Sequence, residues 1–238
     1  MFEEKWRPAD SPLVEKIWYS RSETSFFFLS YSEARSEIVF VKNRGGRVAA
    51  FLRGPETMPS RAQVESGAEC LGLQLRLGVY VPSSLPRDLS NRRDADLPVV
   101  DDRRILIGGH LVEVPRFDNA EEFAERLFRL GLLRRDTDIV AVLDDQPSPS
   151  ALRTRQLRFL KATGLSFALV KQIQRTREAT LLLRDGEPIQ DVVFRLGYFD
   201  QAHLYRNLRR FVGITAKAIA QATWVGTLLR LDPPGDVH

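Results

Sequence analysis

The stretch Glu187–Gly213, EPIQDVVFRLGYFDQAHLYRNLRRFVG, decides how the C-terminal third of the chain is read. Pro188 suits the first turn of a helix, where a missing amide costs nothing, and Ile189, Val192, Val193 and Leu196 form one apolar stripe behind it. Gly197 ends that helix. Three residues on, Asp200 can accept from the free amides of a second helix, whose inward residues Leu204, Leu208 and Phe211 fall at i, i+4 and i+7. Two short helices joined by a Gly-containing turn of about three residues predict a helix-turn-helix, in which the second helix enters the major groove of DNA. The outward face of that second helix carries Gln201, His203, Tyr205, Arg206, Asn207, Arg209 and Arg210, with Asp200 the sole acid, at its cap. These are residue types that read base edges or hold phosphates. An ordinary helical hairpin is the competing reading, although a merely solvated helix would mix in several acids.

Charge points the same way. The chain of 238 residues has 43% hydrophobic and 28% charged side chains, ordinary for one large domain or two modest ones and unlike a disordered or fibrous chain. Residues 150–224 hold 13 Lys/Arg against 5 Asp/Glu, a balance of +8, whereas residues 1–149 hold 21 against 24, a balance of −3. A basic C-terminal third on a slightly acidic N-terminal part is the electrostatic outline of a nucleic-acid-binding module attached to something else. A solvated basic face is the alternative. On the first reading, the fragment from about residue 148 onward is expected to bind DNA by itself.

The N-terminal part is expected to be β-rich. Ser25–Tyr31, Glu37–Val41 and Val48–Leu52 are short apolar runs divided by turn residues such as Lys42–Arg47. In Leu71–Leu77 the leucines at 71, 73, 75 and 77 alternate with Gly72, Gln74 and Arg76, so one face is buried and the other is wet or points into a lumen. Ile105–Val114 supplies a hairpin about Gly108-Gly109. Many short strands in about 110 residues predict a small barrel or sandwich. From Asp118 the period becomes helical, with Ala120, Phe123, Ala124, Leu127 and Phe128 on one face and Asp118 or Asn119 as cap; Asp136–Leu143 is a second short helix. The two prolines of Gln146–Ser150 then force a break. The fold class is therefore α+β, divided as a β-rich domain at 1–115, a helical connector at 116–147, a DNA-binding domain at 148–224 and a tail at 225–238.

The residues also resemble a known family. Leu196-Gly197-Tyr198-Phe199-Asp200-Gln201-Ala202-His203-Leu204, followed by Arg209-Arg210-Phe211-Val212-Gly213-Ile214-Thr215, is similar to the signature of AraC-type bacterial transcription regulators. Upstream, Arg153–Phe159 with Thr163-Gly164-Leu165-Ser166 resembles the recognition helix of that family's first helix-turn-helix, and Phe167–Arg184 resembles the long helix joining the two. Trp6-Arg7-Pro8, Gly54-Pro55-Glu56-Thr57 and Leu71–Leu75 are similar to landmarks of a cupin-like N-terminal domain. The resemblance implies a β-rich cupin-like barrel or sandwich followed by an all-α domain with two helix-turn-helix units, whose recognition helices here span 150–163 and 200–211. It implies base-reading roles for Gln201, Ala202, His203, Tyr205 and Arg206, and for Arg153 and Gln156 in the first unit. For His203 a structural hydrogen bond near the helix start is the alternative role. Arg195, Arg209, Arg210 and Arg158 are expected to meet the phosphate backbone, which fixes position without selecting sequence. The implied partners are double-stranded DNA, a small-molecule effector or a second copy of the chain at the N-terminal domain, and RNA polymerase. Two departures from the family pattern, Leu157 in place of a base-reading arginine and the prolines within Asp138–Ser150, shift the expected sequence reading to the second unit. A third departure puts Ala216 where a proline usually follows the threonine.

Other functional classes have less support. No run approaches the roughly 18 apolar residues of a membrane span, and Met1–Arg7 lacks the pattern of a signal peptide, so a cytoplasmic protein is expected. Cys70 is the sole cysteine and His110 the sole histidine before residue 200, which leaves too few ligands for a metal-dependent cupin. Neither a cofactor nor a catalytic residue is expected. An N-terminal barrel with enzymatic or thiol-sensing activity, the latter at Cys70, is the alternative.

Overall fold

The computed structural model describes residues 1–92, 94–137, 139, 152–225 and 228–231. Along the chain run β1 (Phe2–Pro8), β2 (Val14–Ser22), β3 (Phe26–Ser30), β4 (Glu37–Lys42), β5 (Val48–Arg53), β6 (Ser60–Val64), β7 (Glu69–Leu75), β8 (Val79–Tyr80), α1 (Pro86–Leu89), β9 (Ala95–Leu97), β10 (Val99–Val100), β11 (Arg104–Ile107), β12 (His110–Glu113), α2 (Ala120–Arg129) and β13 (Arg134–Arg135). There follow α3 (Leu152–Thr163), α4 (Phe167–Arg184), α5 (Ile189–Arg195), α6 (Gln201–Phe211), α7 (Ala216–Gln221), β14 (Trp224–Val225) and β15 (Leu228–Leu231). The helix expected at Asp136–Leu143 and the break at Gln146–Ser150 fall largely or wholly outside the described residues. The chain divides into two compact units.

The first unit comprises Met1–Thr24, Arg35–Pro55 and Glu65–Phe167. Its main sheet is six-stranded and antiparallel, in the order β1-β2-β7-β4-β5-β9. The alternation in β7 sets the burial: Leu71, Leu73 and Leu75 are buried, and the register places Ile17, Leu73, Ile38 and Leu52 side by side across four strands. Phe123, Ala124 and Leu127 of α2 close over the same core, with the Phe40 and Phe123 rings edge-to-face at 5.6 Å. Phe128 is exposed rather than part of this stripe, because it lies about 100° round the helix from Leu127. The cap expected from Asn119 also differs. A 3₁₀ turn over Phe117–Asn119 precedes α2, and the Asn119 side chain accepts from the Arg116 amide at 2.7 Å, serving that turn instead.

On the other face of the sheet, Gly72 lets the Trp18 indole lie flat on the strand; a Cβ there would stand 2.1 Å from Trp18 Cε2. The indole N–H donates to Glu37, which pairs with Arg53 at 3.6 Å, and Arg53 reaches Asp94 at 2.8 Å. This face mixes that polar network with Val39, which is buried beside Gly72. The hairpin about Gly108-Gly109 forms as β11 and β12, with φ of 54° and 82° at the two glycines, and with β10 it makes a three-stranded sheet. Helix α3 closes this unit at its C-terminal end. Gly164, at φ 74°, follows it so tightly that a Cβ would stand 2.7 Å from the Arg87 amide nitrogen beside α1.

The second unit comprises Ser25–Ala34, Glu56–Val64 and Ala168–His238. Helices α5, α6 and α7 pack on the C-terminal half of α4 around Ala179, Leu183, Val192, Tyr198, Leu204, Leu208, Val212, Ala216 and Ile219. A four-stranded antiparallel sheet, β14-β15-β3-β6, belongs to the same unit, and Leu29, Tyr31 and Trp224 pack on the helical core. Segments from the N-terminal half of the sequence are thus built into the helical unit, and β15 uses part of the expected tail.

Candidate nucleic-acid interface

The turn between α5 and α6 is fastened from α4. Gly197 takes φ 65°, which an L side chain rarely adopts, and its carbonyl accepts from the Arg175 guanidinium at 3.3 Å. The same guanidinium lies 4.4 Å over the Tyr198 ring. Tyr198 is buried; its hydroxyl meets Thr176 Oγ1 at 3.4 Å, and burial is the main cause that pushes its pKa up. Helix α6 therefore starts at a fixed place on the α4 surface.

Its first turn is built as the spacing predicts. Asp200 Oδ1 accepts from the His203 amide at 2.6 Å, which satisfies one of the free donors at the helix start. The His203 ring stands edge-to-face on Tyr198 with centroids 5.3 Å apart, and its Nδ1 faces the Phe199 amide at 3.5 Å. His203 is thus half-buried and engaged at the cap, in the structural role its position allows.

Leu204, Leu208 and Phe211 are fully buried. Gln201, Ala202, Tyr205, Arg206, Arg209 and Arg210 are exposed together on the opposite side. Asn207 does not join them. It is buried, and its Nδ2 donates to the His203 carbonyl at 3.1 Å, because position 207 lies next to Phe211 at the edge of the inward face of the helix. Arg195 is exposed but carries an ion pair to Glu187 at 3.0 Å. On α3 in the first unit, Arg153, Gln156, Leu157 and Arg158 are exposed opposite buried Phe159, Ala162 and Thr163. After α6, Thr215 Oγ1 accepts from the Ala218 amide at 3.1 Å and caps α7, so Ala216 in place of a proline leaves that helix start intact.

Two features escape the sequence reading. Phe199, in the turn, and Phe194, on α5, are 91% and 89% exposed. A signal for both was available, since Phe194 lies off the apolar stripe of α5 and Phe199 lies in the turn, outside either helix. The second feature is the tie at the far end of α6. The Ser32 amide donates to the Phe211 carbonyl at 2.9 Å, while Arg177 of α4 pairs with Glu33 at 3.2 Å, donates to the Ser32 carbonyl at 3.0 Å and lies 4.6 Å over the Tyr31 ring. No local pattern announces contacts separated by some 145 residues.

Among the described residues, no helix is long and apolar enough to cross a membrane, and no group of three or more His, Cys, Asp or Glu side chains is placed to hold a metal ion.

Comparison with known proteins supports the assignment of this region. Residues 151–222 match the family model of a helix-turn-helix domain. No curated protein matches the chain. Among solved structures, ToxT from Vibrio cholerae is similar at 10% identity and a TM-score of 0.37, over 92% of this chain and 97% of that one. An apo ToxT variant from Vibrio cholerae strain SCE256 is similar at 11% identity and a TM-score of 0.31, over 92% and 96%. With its glycine turn, its Asp200 cap, its basic outward face and the family match over the same residues, the segment 151–222 is a helix-turn-helix domain.

Proposed function

We propose that this protein is a sequence-specific transcription regulator that reads the major groove chiefly through α6. Gln201, Ala202, Tyr205 and Arg206 are the base readers there, joined by His203 where its ring edge is free. Arg153 and Gln156 of α3 form a second reading set, and Arg158, Arg209 and Arg210 hold phosphates. Arg195 joins them only if DNA displaces Glu187. The β-rich first unit takes a small-molecule effector or a second copy of the chain, and RNA polymerase is the downstream partner; no catalytic role is assigned.

The observation that carries this reading is the face of α6: six exposed residues able to contact bases or phosphates, without an acid among them, on a helix whose start is fixed by Asp200 and Tyr198. Arg206 and Arg209 test it. Arg206 lies at the middle of α6, within two turns of the start that meets base edges, whereas Arg209 lies near its end. Arg206→Ala is expected to cost about 1–3 kcal/mol on the preferred site and to relax selectivity at one base position. Arg209→Ala is expected to weaken all sequences alike and to lower the salt slope by about one unit. Site-selection profiles decide the matter. An Arg206→Ala profile identical to wild type, with selectivity lost instead in Leu157→Ala, assigns the reading to α3.

A further inference from the structure

Phe199 is the most exposed large apolar side chain near the reading face, at 91%, and its position is fixed on both sides. Tyr198, the residue before it, is buried under Arg175; Asp200, the residue after it, is the cap of α6. Its own amide points to His203 Nδ1. The backbone at Phe199 is therefore held while the whole ring stands in water. Burying a phenylalanine ring is favourable, so a ring left this exposed on a held backbone contributes little to folding, and its place has another rationale. Position supplies one. A residue directly before the cap lies at the end of the recognition helix that approaches base edges. Ala202, exposed on the first turn of α6, adds a methyl group near the start of the same helix.

We infer that Phe199, together with Ala202 on the first turn of α6, is a specificity-determining residue that reads a thymine by apolar contact with its 5-methyl group. The major groove offers one apolar feature, the thymine methyl, and phenylalanine and alanine are suited to it. DNA is favoured over a protein surface as occupant because the exposed face of α6 that follows carries Arg206, Arg209 and Arg210, with Asp200, engaged as the cap, the sole acid beside them, which complements phosphate. The inference rests on the proposed reading of DNA by α6 and adds a base to it.

The test uses the full-length protein and the duplex it enriches from a random pool. Each thymine of that site is replaced singly by deoxyuridine, which lacks only the 5-methyl group. Wild-type protein is expected to lose affinity about four-fold at one position, the worth of one buried methyl-sized group at about 0.8 kcal/mol. Phe199→Ala is expected to bind the thymine and deoxyuridine duplexes equally, and Phe199→Leu to keep part of the discrimination. The quantity read is the ratio between two duplexes for one protein, so a general loss of stability in a variant does not move it. Enrichment of a site at which no thymine discriminates, or a Phe199→Ala ratio equal to wild type, overturns the inference while leaving the DNA-binding function intact. Wild-type DNA binding in Phe199→Ala combined with lost transcriptional output assigns the ring to a protein partner and overturns it too. Failure to enrich any sequence overturns both.

Discussion

Asp200 is a single side chain on which the orientation of α6 depends, since its carboxylate holds the His203 amide at 2.6 Å. Removing such a cap costs about 1 kcal/mol, so Asp200→Ala is expected to lower the urea midpoint of unfolding, and Asp200→Ser to restore most of it. An unchanged midpoint in Asp200→Ala would mean that Tyr198 and Arg175 alone fix the turn. Cys70 makes a different kind of claim. It lies half-buried on β7 opposite Ser20 and Val41, and burial pushes its thiol up, with a hydrogen bond from Ser20 opposing. The folded protein therefore keeps this proton more tightly than the unfolded chain. The resulting stabilisation is complete below the ordinary thiol value of about 8.5 and is lost as pH rises through the higher folded value. Unfolding midpoints are expected to fall as pH rises above the ordinary thiol value, and to fall less in Cys70→Ala, with Tyr198 contributing further up the scale. DNA affinity is expected to be the same in both proteins. Rapid reaction of Cys70 with a thiol reagent, coupled to a change in DNA affinity, would instead favour the sensing alternative.

At the scale of elements, the sheet around β7 depends on one missing side chain. Gly72→Ala drives a methyl into the Trp18 indole, which is backed by Glu37, and is expected to destabilise by roughly 1–3 kcal/mol. Gly72→Ala combined with Trp18→Phe should recover part of that loss; a single variant as stable as wild type would show that the indole can swing away. The tie between Ser25–Ala34 and the helical unit also has a measurable cost. A fragment beginning near residue 148 lacks β3, β6, Ser32 and Glu33, and with them the bonds to Phe211 and Arg177. It is expected to bind DNA by itself, but to melt lower and to bind more weakly than the full chain. Equal melting and affinity would reduce these contacts to packing.

The legible elements were those whose local pattern and tertiary role agree. The stripes of α6 and the leucine alternation of β7 each point at a core, and each core is there. Strand β1 was missed because Phe2–Pro8 is an edge strand exposed on most of its length, so Glu3, Glu4 and Lys5 carry no apolar alternation. Strand β15 was missed because its partner, β3, lies some 200 residues earlier in the sequence. At the interface, the cap and the outward residues were visible in spacing. The burial of Asn207 was not, since a polar residue on the inward half of a helix is revealed only by the carbonyl it bonds.

For the molecule as a whole, the division of charge carries the central claim: the balance of +8 over residues 150–224 is there to meet phosphate, while the −3 over residues 1–149 has no such part. Binding to DNA must then release counterions, with a slope of log affinity against log salt of about −0.9 for each phosphate neutralised. The most direct measurement is selection of bound sequences by the full-length protein from a random duplex pool, followed by titration of the enriched duplex and a scrambled one at rising salt. One enriched sequence is expected, with affinity that falls steeply with salt on both duplexes and a preference for the enriched duplex that survives. No enrichment, or an affinity indifferent to salt, would contradict the central claim.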